Sequence, residues 1–520
     1  MGDHKILITA SGLGSRLGKL TNYTNKTLTR VGNKPAISYI VEKYDSNADI
    51  VITLGHYGEH VRDFLELTYP ERNFTFVTVE NYAGPGSSLL HSMKCAQEEL
   101  QCPFIFHASD AIILDEIPEP SYNWIAGAHK DSADNYRTLN VAPNNLLSRI
   151  NEKGELTYDL AYPGLVGIND YKKFWKCLDS ILDVSKDSQN SDCHVIQKMT
   201  DDLSCEFNIV EIEKWYDIGE PSALRNAKLS LPATIDVLDK EKESVYLVNN
   251  SVVKFFHDKS VVYKRVKRAE VLTGLVPRIL GHKDNFFRYE YAEGDLFAKT
   301  ATPTSMNRFL TWIDEKMWSQ RRPEKIESEC DQFYFDKTIQ RINMYLDGCI
   351  DKESTINGEK VPPIWDLLEM LDRSSIVDGI ATVIHGDCIL DNVIETKDEF
   401  TLIDWRQDFA GVISVGDLYY DLAKLNHNLI FNHDMVGKDY FSLNDKDGEI
   451  ECDILVKKNL LDCQEVLHKF IEEKNLSLEK VKTLTAIIWI NMAPLHEYPL
   501  DRFLFNFGKY NLYRQVGKTK

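Results

Sequence analysis

The stretch His385-Gly386-Asp387-Cys388-Ile389-Leu390-Asp391-Asn392 decides how the second half of this 520-residue chain is interpreted. An apolar run precedes it, and a second apolar run, residues 400–403, ends on Asp404, twelve residues after Asn392. This spacing suits phosphoryl transfer, in which one Asp accepts the proton of an attacking hydroxyl while an Asn and a second Asp hold Mg²⁺ against the phosphates of ATP. Each residue alone is also a common turn former, so the prediction depends on their combination. We predict Asp387 as the catalytic base and Asn392 and Asp404 as metal ligands.

The motif resembles the Brenner-type sequence of the choline kinase and aminoglycoside phosphotransferase group, His-Gly-Asp-x-x-x-x-Asn followed by Ile-Asp-Trp or Ile-Asp-Phe. The likeness continues into Gly416-Asp417-Leu418-Tyr419-Tyr420-Asp421-Leu422-Ala423, where that group carries Gly-Asp-x-x-x-Asp-Leu-Ala. The Asp-Phe-Gly and Ala-Pro-Glu motifs of protein kinases do not occur in the chain. The resemblance implies an ATP-dependent kinase for small molecules, with a two-lobed, protein-kinase-like α+β domain over residues 243–520.

Residues 243–295 have the pattern of an ATP-binding lobe. Two apolar segments are joined by Asn249-Asn250, a pair that tolerates the positive φ of a tight hairpin turn. Lys254 falls on the second strand of this hairpin, and Glu270 falls on a helix-like run sixteen residues further on. We predict that Glu270 pairs with Lys254, so that the lysine reaches the α- and β-phosphates of ATP.

The lobe is predicted to end in an edge strand, residues 286–291, that holds adenine by backbone hydrogen bonds and places Glu290 in the nucleotide site. Residues 296–520 have the pattern of a mainly helical catalytic lobe. The aromatic side chains of that lobe are either core or a pocket that binds a quaternary ammonium through cation–π contacts.

The N-terminal half begins with a buried-strand pattern that breaks into Ser11-Gly12-Leu13-Gly14-Ser15-Arg16-Leu17-Gly18-Lys19. The third Gly of a dinucleotide fingerprint is missing, as is the Gly-Lys-Ser/Thr of a Walker A loop. Small residues let backbone amides approach a triphosphate, while nearby cations stabilise charge on a leaving pyrophosphate. We therefore predict Gly12, Gly14 and Lys19 as nucleotide contacts. Arg16 and Lys26 are predicted as catalytic cations.

This loop resembles the signature of sugar-nucleotide and phosphocholine nucleotidyltransferases, in which Ala-Gly-x-Gly-x-Arg-Leu is followed by Thr, Lys-x-Leu and Gly-Lys-Pro. Asn25 stands where that family usually has Pro, Ser11 replaces Ala, and Asn33 intrudes before Lys34-Pro35. None of these differences removes a charged group. The resemblance covers residues 5–226 and implies a nucleotidyltransferase domain of residues 1–230.

Strands and helices alternate through this domain, a pattern typical of a doubly wound, mostly parallel sheet with sites at the carboxyl ends of strands. Asp110 closes one strand, and Asp217 lies in Trp215-Tyr216-Asp217-Ile218-Gly219. The family carries a metal-binding Asp in each context, so we predict that both hold Mg²⁺ against the nucleotide phosphates. By the same resemblance, a Gly-rich segment with Gly84, Gly86 and Ser88 receives the base.

Composition limits the partners of the protein. The 80 acidic and 60 basic residues give a formal charge of −20, which argues against binding to nucleic acid or to an anionic membrane. No window approaches the length of a transmembrane helix, so no membrane insertion is predicted. The ten cysteines include no Cys-x-x-Cys pair and indicate reduced thiols of a cytoplasmic protein. Residues 229–244, with a mixed-charge run from Asp239, are predicted as the linker.

Together, the two halves predict a bifunctional enzyme. A kinase with ATP and Mg²⁺ would phosphorylate a small alcohol, and a nucleotidyltransferase would couple that phosphomonoester to a nucleotide. CTP is favoured because the loop is closer to phosphocholine cytidylyltransferases, and the product would be a CDP-choline-type precursor for surface polysaccharide or lipid decoration. In one alternative the acceptor is a sugar and the product an NDP-sugar. In another, one domain is a decayed, nucleotide-binding regulatory module.

Overall fold

The computed structural model describes residues 4–130, 132–184, 190–234, 240–397, 399–446 and 449–517. The chain divides into two compact units. The first unit comprises Met1–Lys259 and Leu280–Tyr289, and the second comprises Ser260–Ile279 and Glu290–Lys520. About half of the predicted ATP lobe, residues 243–259 and 280–289, therefore groups with the first unit. The central part of the predicted linker, residues 235–239, lies outside the described residues.

The residues up to 234 form an α/β structure. The strands are β1 (Lys5–Ala10), β2 (Arg30–Val31), β3 (Lys34–Pro35), β4 (Asp49–Leu54), β5 (Asn73–Thr78), β6 (Phe104–Ala108), β7 (Ala111–Ile113), β8 (Trp124–Gly127), β9 (Thr138–Val141), β10 (Leu147–Asn151), β11 (Leu160–Ala161), β12 (Leu165–Ile168), β13 (Asn208–Glu211) and β14 (Trp215–Asp217). The helices are α1 (Ala36–Val41), α2 (Gly58–Thr68), α3 (Leu89–Cys95), α4 (Tyr171–Val184), α5 (Asp192–Leu203) and α6 (Pro221–Ser230).

Seven of these strands form one sheet, in the order β13-β8-β12-β6-β1-β4-β5. All neighbours are parallel except β12, which runs antiparallel to both β6 and β8. Successive residues of β1 belong to hydrophobic cores on opposite faces of the sheet: Ile6 and Ile8 lie in one core and Leu7 lies in the other. This follows from the two-residue period of a strand. The predicted, mostly parallel α/β sheet is confirmed. Its parallel strands β1, β4 and β6 end at the same edge.

The next segment forms a second, smaller sheet. Its elements are β15 (Glu243–Val248), β16 (Ser251–Phe256), α7 (Lys259–Val271), β17 (Ile279–His282) and β18 (Phe286–Glu290). The predicted hairpin is present, with φ of 49° at Asn249 and 51° at Asn250. The strand order is β15-β16-β18-β17. The prediction that β18 is an edge strand is wrong, because β17 pairs along its outer side.

A shared hydrophobic cluster explains why this sheet groups with the first unit. Tyr246, Phe255 and Phe286 are buried in the same cluster as Phe64 of α2. The Tyr246 hydroxyl also donates a hydrogen bond to the Leu28 carbonyl at 2.7 Å. Packing, rather than order along the chain, therefore places these strands with the first unit. The assignment of functional domains to residues 1–230 and 243–520 stays a prediction.

From residue 290 onward the chain is mainly helical. The helices are α8 (Phe297–Thr300), α9 (Pro303–Ile313), α10 (Glu327–Asp331), α11 (Lys337–Leu346), α12 (Ile364–Glu369), α13 (Arg373–Val377), α14 (Leu418–Ile430), α15 (His433–Gly437), α16 (Lys458–Glu473), α17 (Leu478–Met492) and α18 (Leu500–Val516). The strands are β19 (Asp295–Leu296), β20 (Ser354–Ile356), β21 (Glu359–Val361), β22 (Ala381–Thr382), β23 (Val393–Glu395), β24 (Phe400–Leu402), β25 (Gly416–Asp417), β26 (Phe441–Lys446) and β27 (Glu449–Ile454). Within the described part of the chain, no helix has the length and apolarity needed to cross a membrane.

Candidate functional sites

The loop after β1 borders a cleft at the carboxyl edge of the large sheet. Gly14 adopts φ of 66°, and a Cβ there would lie 2.8 Å from the Cβ of Lys26, so this position requires glycine. A Cβ at Gly12 would meet nothing within 4 Å. The cleft has a volume of about 190 Å³ and is lined by Leu13, Gly14, Ser15, Arg16, Lys26, Tyr82, Asp110 and Gly219. The first predicted site thus brings together residues from five separate segments of the sequence.

A lysine–aspartate ion pair lies in this cleft. The Lys26 Nζ atom is 2.9 Å from the Asp110 Oδ2 atom. Burial would raise the pKa of Asp110, but Lys26, with a smaller contribution from Arg16, outweighs burial and lowers it. Asn25 holds Lys26 in place: its buried side chain donates to the carbonyls of Ala10 and His56 and accepts from the backbone N–H of Thr27. The Asn that departs from the family pattern therefore ties the loop to the ends of β1 and β4.

Asp217 lies beside Asp110, as a shared metal site requires. The antiparallel pairing of β14 with β7 sets Asp217 opposite Ala111, the residue after Asp110. Gly219 lies against both side chains, because a Cβ added to it would be within 3.4 Å of the Asp110 and Asp217 carboxylates. Burial and the charge of Asp110 raise the pKa of Asp217. Among the described residues, no group of three His, Cys, Asp or Glu side chains could hold a metal. Mg²⁺ often uses only one or two carboxylates together with substrate phosphates, so this pair fits it.

The other predicted residues of this site differ in their positions. The Arg16 guanidinium lines the cleft and lies 3.3 Å from Glu220. Lys19 is largely exposed and lies 3.9 Å from Glu241; it is not among the residues that line the cleft. In the Gly-rich segment, Gly84 and Gly86 both have positive φ. Ser88 caps α3 by accepting a hydrogen bond from His91 N–H.

In the second unit, the predicted catalytic loop is anchored by a buried carboxylate. Asp421 accepts hydrogen bonds from the backbone N–H groups of His385 and Gly386, at 2.8 and 2.7 Å. The indole of Trp318 donates a third hydrogen bond to Asp421. Three donors in fixed positions hold the loop in one conformation. The second Asp of the Gly-Asp-x-x-x-Asp segment therefore supports the loop that carries Asp387.

Asp387 forms an ion pair with Lys424 of α14, at 2.7 Å. Burial would raise the pKa of Asp387, but Lys424 outweighs this effect and lowers the pKa to about 2. The Asn392 amide donates to the backbone carbonyl of Asp387 at 3.0 Å and to its carboxylate at 3.3 Å. Asp387 is therefore an ionised carboxylate at neutral pH, in the form that can accept a proton.

The hairpin β23–β24 joins the two predicted metal ligands of this site. Asn392 precedes β23, Asp404 follows β24, and the Ile403 N–H donates to the Asn392 carbonyl at 2.9 Å. Asp404 has a φ of 60°, which is uncommon outside glycine, and its carboxylate lies 3.1 Å from Arg265. An amide oxygen and a carboxylate on adjacent strand ends are suitable ligands for Mg²⁺ beside substrate phosphates.

The three remaining predicted nucleotide contacts are distributed over β16, α7 and β18. Lys254 lies on β16 and is buried. Glu270 is mostly exposed and pairs with Lys267 at 2.9 Å. Glu290 ends β18 and accepts a hydrogen bond from the Arg278 Nε at 2.9 Å. The predicted pairing of Lys254 with Glu270 stays a prediction.

Two residues at these sites, Lys424 and Tyr136, were missed by the sequence analysis. Lys424 follows Asp421 by three residues on α14, and this helical spacing is the signal that would have found it. In the first unit, Tyr136 donates to Asp217 at 3.0 Å. No motif in the sequence marks Tyr136, because only the fold brings it to Asp217.

Comparison with known proteins places similarity in the N-terminal half. No family model matches the chain. The bifunctional protein GlmU of Methanococcus maripaludis is 23% identical over 227 residues, which are 41% of this chain and 51% of that protein. The choline-phosphate cytidylyltransferase of Streptococcus pneumoniae is 33% identical over 108 residues, 20% of this chain and 44% of that protein.

Among solved structures, the CTP:phosphocholine cytidylyltransferase from Streptococcus pneumoniae covers 44% of this chain and 100% of its own, with 18% identity and a TM-score of 0.38. The chain spans about half the length of the GlmU proteins it matches. The sequence matches show that the N-terminal half of the chain is similar to nucleotidyltransferases.

Proposed function

We propose that the cleft of the first unit transfers a nucleotidyl group to a phosphomonoester with release of pyrophosphate. The observation that carries this proposal is the convergence of Lys26, Arg16 and Asp110 on one cleft, with Asp217 beside Asp110. Bound Mg²⁺ would neutralise the phosphates of the nucleotide. Lys26 and Arg16 would stabilise negative charge that develops on the leaving pyrophosphate. The similar proteins are nucleotidyltransferases, which supports the same reaction class.

We propose that the second unit supplies a kinase reaction. Asp387 would accept the proton of an alcohol hydroxyl as its oxygen attacks the γ-phosphate of ATP, while Asn392 and Asp404 would hold Mg²⁺. The ionised Asp387 beside the Asn392 amide supports this assignment. Lys424 would hold the carboxylate in place, and Asp421 would fix the loop.

The two reactions form a sequence, because a kinase produces a phosphomonoester and the nucleotidyltransferase consumes one. We propose an activated product of the CDP-choline type, in which a small alcohol is joined through two phosphates to a nucleoside, with CTP as the nucleotide. A sugar acceptor, giving an NDP-sugar, is the second candidate, since GlmU and cytidylyltransferase relatives both match this half. The regulatory alternative predicts that one of the two activities is missing.

Full-length variants test the sequence of reactions. Asp110→Ala and Asp217→Ala should suppress pyrophosphate release and leave ADP release unchanged, because each removes one proposed Mg²⁺ ligand from the first cleft only. Asp387→Asn should do the reverse. With ATP, CTP and Mg²⁺, each variant alone should fail to convert the free alcohol into the nucleoside diphosphate product. A mixture of Asp110→Ala and Asp387→Asn proteins should restore it through the diffusing phosphomonoester.

The Asp387→Asn protein should also make the product alone when it is given the phosphorylated acceptor. If it ignores every phosphomonoester that the kinase makes, the two reactions are not sequential. If Asp217→Ala releases pyrophosphate normally, the two-carboxylate metal site is wrong.

A further inference from the structure

A cluster of positive side chains lies beside Asp387. Lys337 begins α11, Arg341 follows one helical turn later, and Arg406 follows β24. The Arg406 backbone N–H donates to the His385 carbonyl at 3.0 Å, and a Cβ on Gly386 would lie 2.7 Å from the Arg406 Cβ, so Arg406 lies beside the loop that carries Asp387. The Lys337 and Arg406 side chains contact the same Phe333 ring. The charges of Arg406, Lys424 and Arg341 also lower the pKa of Lys337. Because Lys424 already pairs with Asp387, the other three cations carry a local excess of positive charge next to the proposed base.

None of these three cations forms a salt bridge with a carboxylate within the described part of the chain. Neither Lys337 nor Arg341 forms a salt bridge or hydrogen bond there, and the Arg406 side chain donates only to the backbone carbonyl of Asp408, at 3.0 Å. The Asp408 carboxylate is itself paired with Lys264 at 2.9 Å. Burial and the neighbouring cations lower the pKa of Lys337 well below its usual value. Such like-charge crowding is unfavourable in the absence of an anion.

The aromatic rings in this region are already covered by the protein's own cations. Lys337 Nζ lies 4.0 Å from the centre of the Phe333 ring, and the Arg406 guanidinium lies 5.0 Å from the same ring. Phe333 also contacts the rings of Phe409 and Tyr420. A quaternary ammonium would have to replace these cations and would be repelled by them, so the aromatic pocket considered from the sequence does not fit here.

The helix that carries Lys337 is irregular at this point. Residues Gln332–Asp336, between α10 and α11, form a π-helical turn immediately before Lys337. Such turns are rare and often occur at functional sites. This one sets the positions of Phe333 and Lys337, which supports a binding role for the cluster.

We propose that Lys337, Arg406 and Arg341 bind a negatively charged group on the acceptor alcohol, such as a carboxylate or a phosphate. The inference rests on the proposed kinase reaction at Asp387. Arginine suits such groups because its guanidinium can donate two parallel hydrogen bonds to a carboxylate or phosphate, and lysine suits them because its ammonium is a compact positive charge. The acceptor would thus present its hydroxyl to Asp387 and its anionic group to the cluster.

Steady-state kinetics of ADP release test the proposal with the full-length protein and four alcohols: choline, glycerol, glycerate and glycerol phosphate. We expect an anionic alcohol to be the best substrate. Lys337→Met should raise the KM for that anionic alcohol about 10- to 100-fold, because one hydrogen bond to a charged group is lost. The KM for ATP should not change. Lys337→Arg should retain most of the affinity. Lys325→Met, at an exposed lysine of the same unit, is the matched control and should behave like wild type.

A measurement without turnover separates this inference from the kinase proposal. Acetylation of Lys337 by acetic anhydride, read by peptide mass spectrometry, should be slowed by glycerate or glycerol phosphate and not by choline. Protection without ADP release from any alcohol would support the anion site and refute the kinase. Best turnover with choline, an effect of Lys337→Met on the KM for ATP alone, or no protection by either anion would each overturn the inference.

Discussion

At the scale of single residues, the most consequential contact is the ion pair between Asp387 and Lys424. Asp387→Asn should reduce ADP release by about 10²–10⁴-fold, the usual contribution of a general base, while pyrophosphate release from a supplied phosphomonoester continues. Asp391→Asn in the same loop is the matched control: Asp391 accepts from the Asn428 amide, an interaction an Asn oxygen also provides. ADP release near the wild-type rate in Asp387→Asn would remove Asp387 from the base role.

Lys424 should set the acidic limit of the kinase reaction. It lowers the pKa of Asp387 to about 2 against the opposing effect of burial. In Lys424→Met, burial still raises the pKa of Asp387 and only weaker neighbouring charges still lower it, so the pKa of Asp387 rises. A smaller fraction of Asp387 is then ionised at acidic pH. The acidic limb of the profile of kcat/KM against pH should therefore move to higher pH. Lys424→Arg should keep the wild-type limb. An unmoved limb in Lys424→Met would show that another group controls it.

At the scale of elements, the short 3-10 turn Lys26–Leu28 depends on Asn25. Two side-chain hydrogen bonds of Asn25 join this turn to the ends of β1 and β4, and a third, accepted from the Thr27 N–H, caps the turn itself. Asn25→Ala leaves buried groups unsatisfied and should lower the free energy of unfolding by about 1–3 kcal/mol, with slower pyrophosphate release.

Asn25→Pro is the informative comparison, because φ of −73° at this position suits proline. Proline should recover about 0.4–1 kcal/mol by restricting the unfolded chain. Denaturant unfolding of both variants measures these differences. A Pro variant more stable than wild type would show that the hydrogen bonds of Asn25 contribute little.

At the scale of the whole molecule, residues beyond the predicted linker complete the first hydrophobic core. A fragment ending at residue 234 would lack Tyr246, Val248, Val253, Phe255 and Phe286. Each large apolar side chain contributes about 1.5–3 kcal/mol when fully buried, so this fragment should be much less stable than one ending at residue 290. Denaturant unfolding and soluble yield check this. Equal stability of the two fragments would contradict the packing argument. In the full chain, Tyr246→Phe removes the hydrogen bond to the Leu28 carbonyl and should lower the free energy of unfolding by about 0.5–1.5 kcal/mol.

The sequence by itself determined the local features of this protein. The alternation of strand and helix patterns predicted the mostly parallel sheet, and Asn249-Asn250 predicted the hairpin turn. These features depend on the φ/ψ preferences and the hydrophobic period of residues that are close in sequence, so a short segment of sequence is enough to predict them. The motif also marked Asn392 and Asp404, twelve residues apart, as candidate ligands of one metal, and the structure shows that a single hairpin separates them.

Tertiary structure alone decided which distant residues meet. The contacts of Asp110 with Lys26 and of Asp387 with Lys424 join segments 84 and 37 residues apart. The interior position of β18 and the packing of the small sheet with the first unit follow from burial of aromatic side chains, which no local pattern specifies. The unpaired cations beside Asp387 were also beyond sequence reasoning. A charge is recognised as unpaired only when every neighbour in space is known, and chain order does not fix those neighbours.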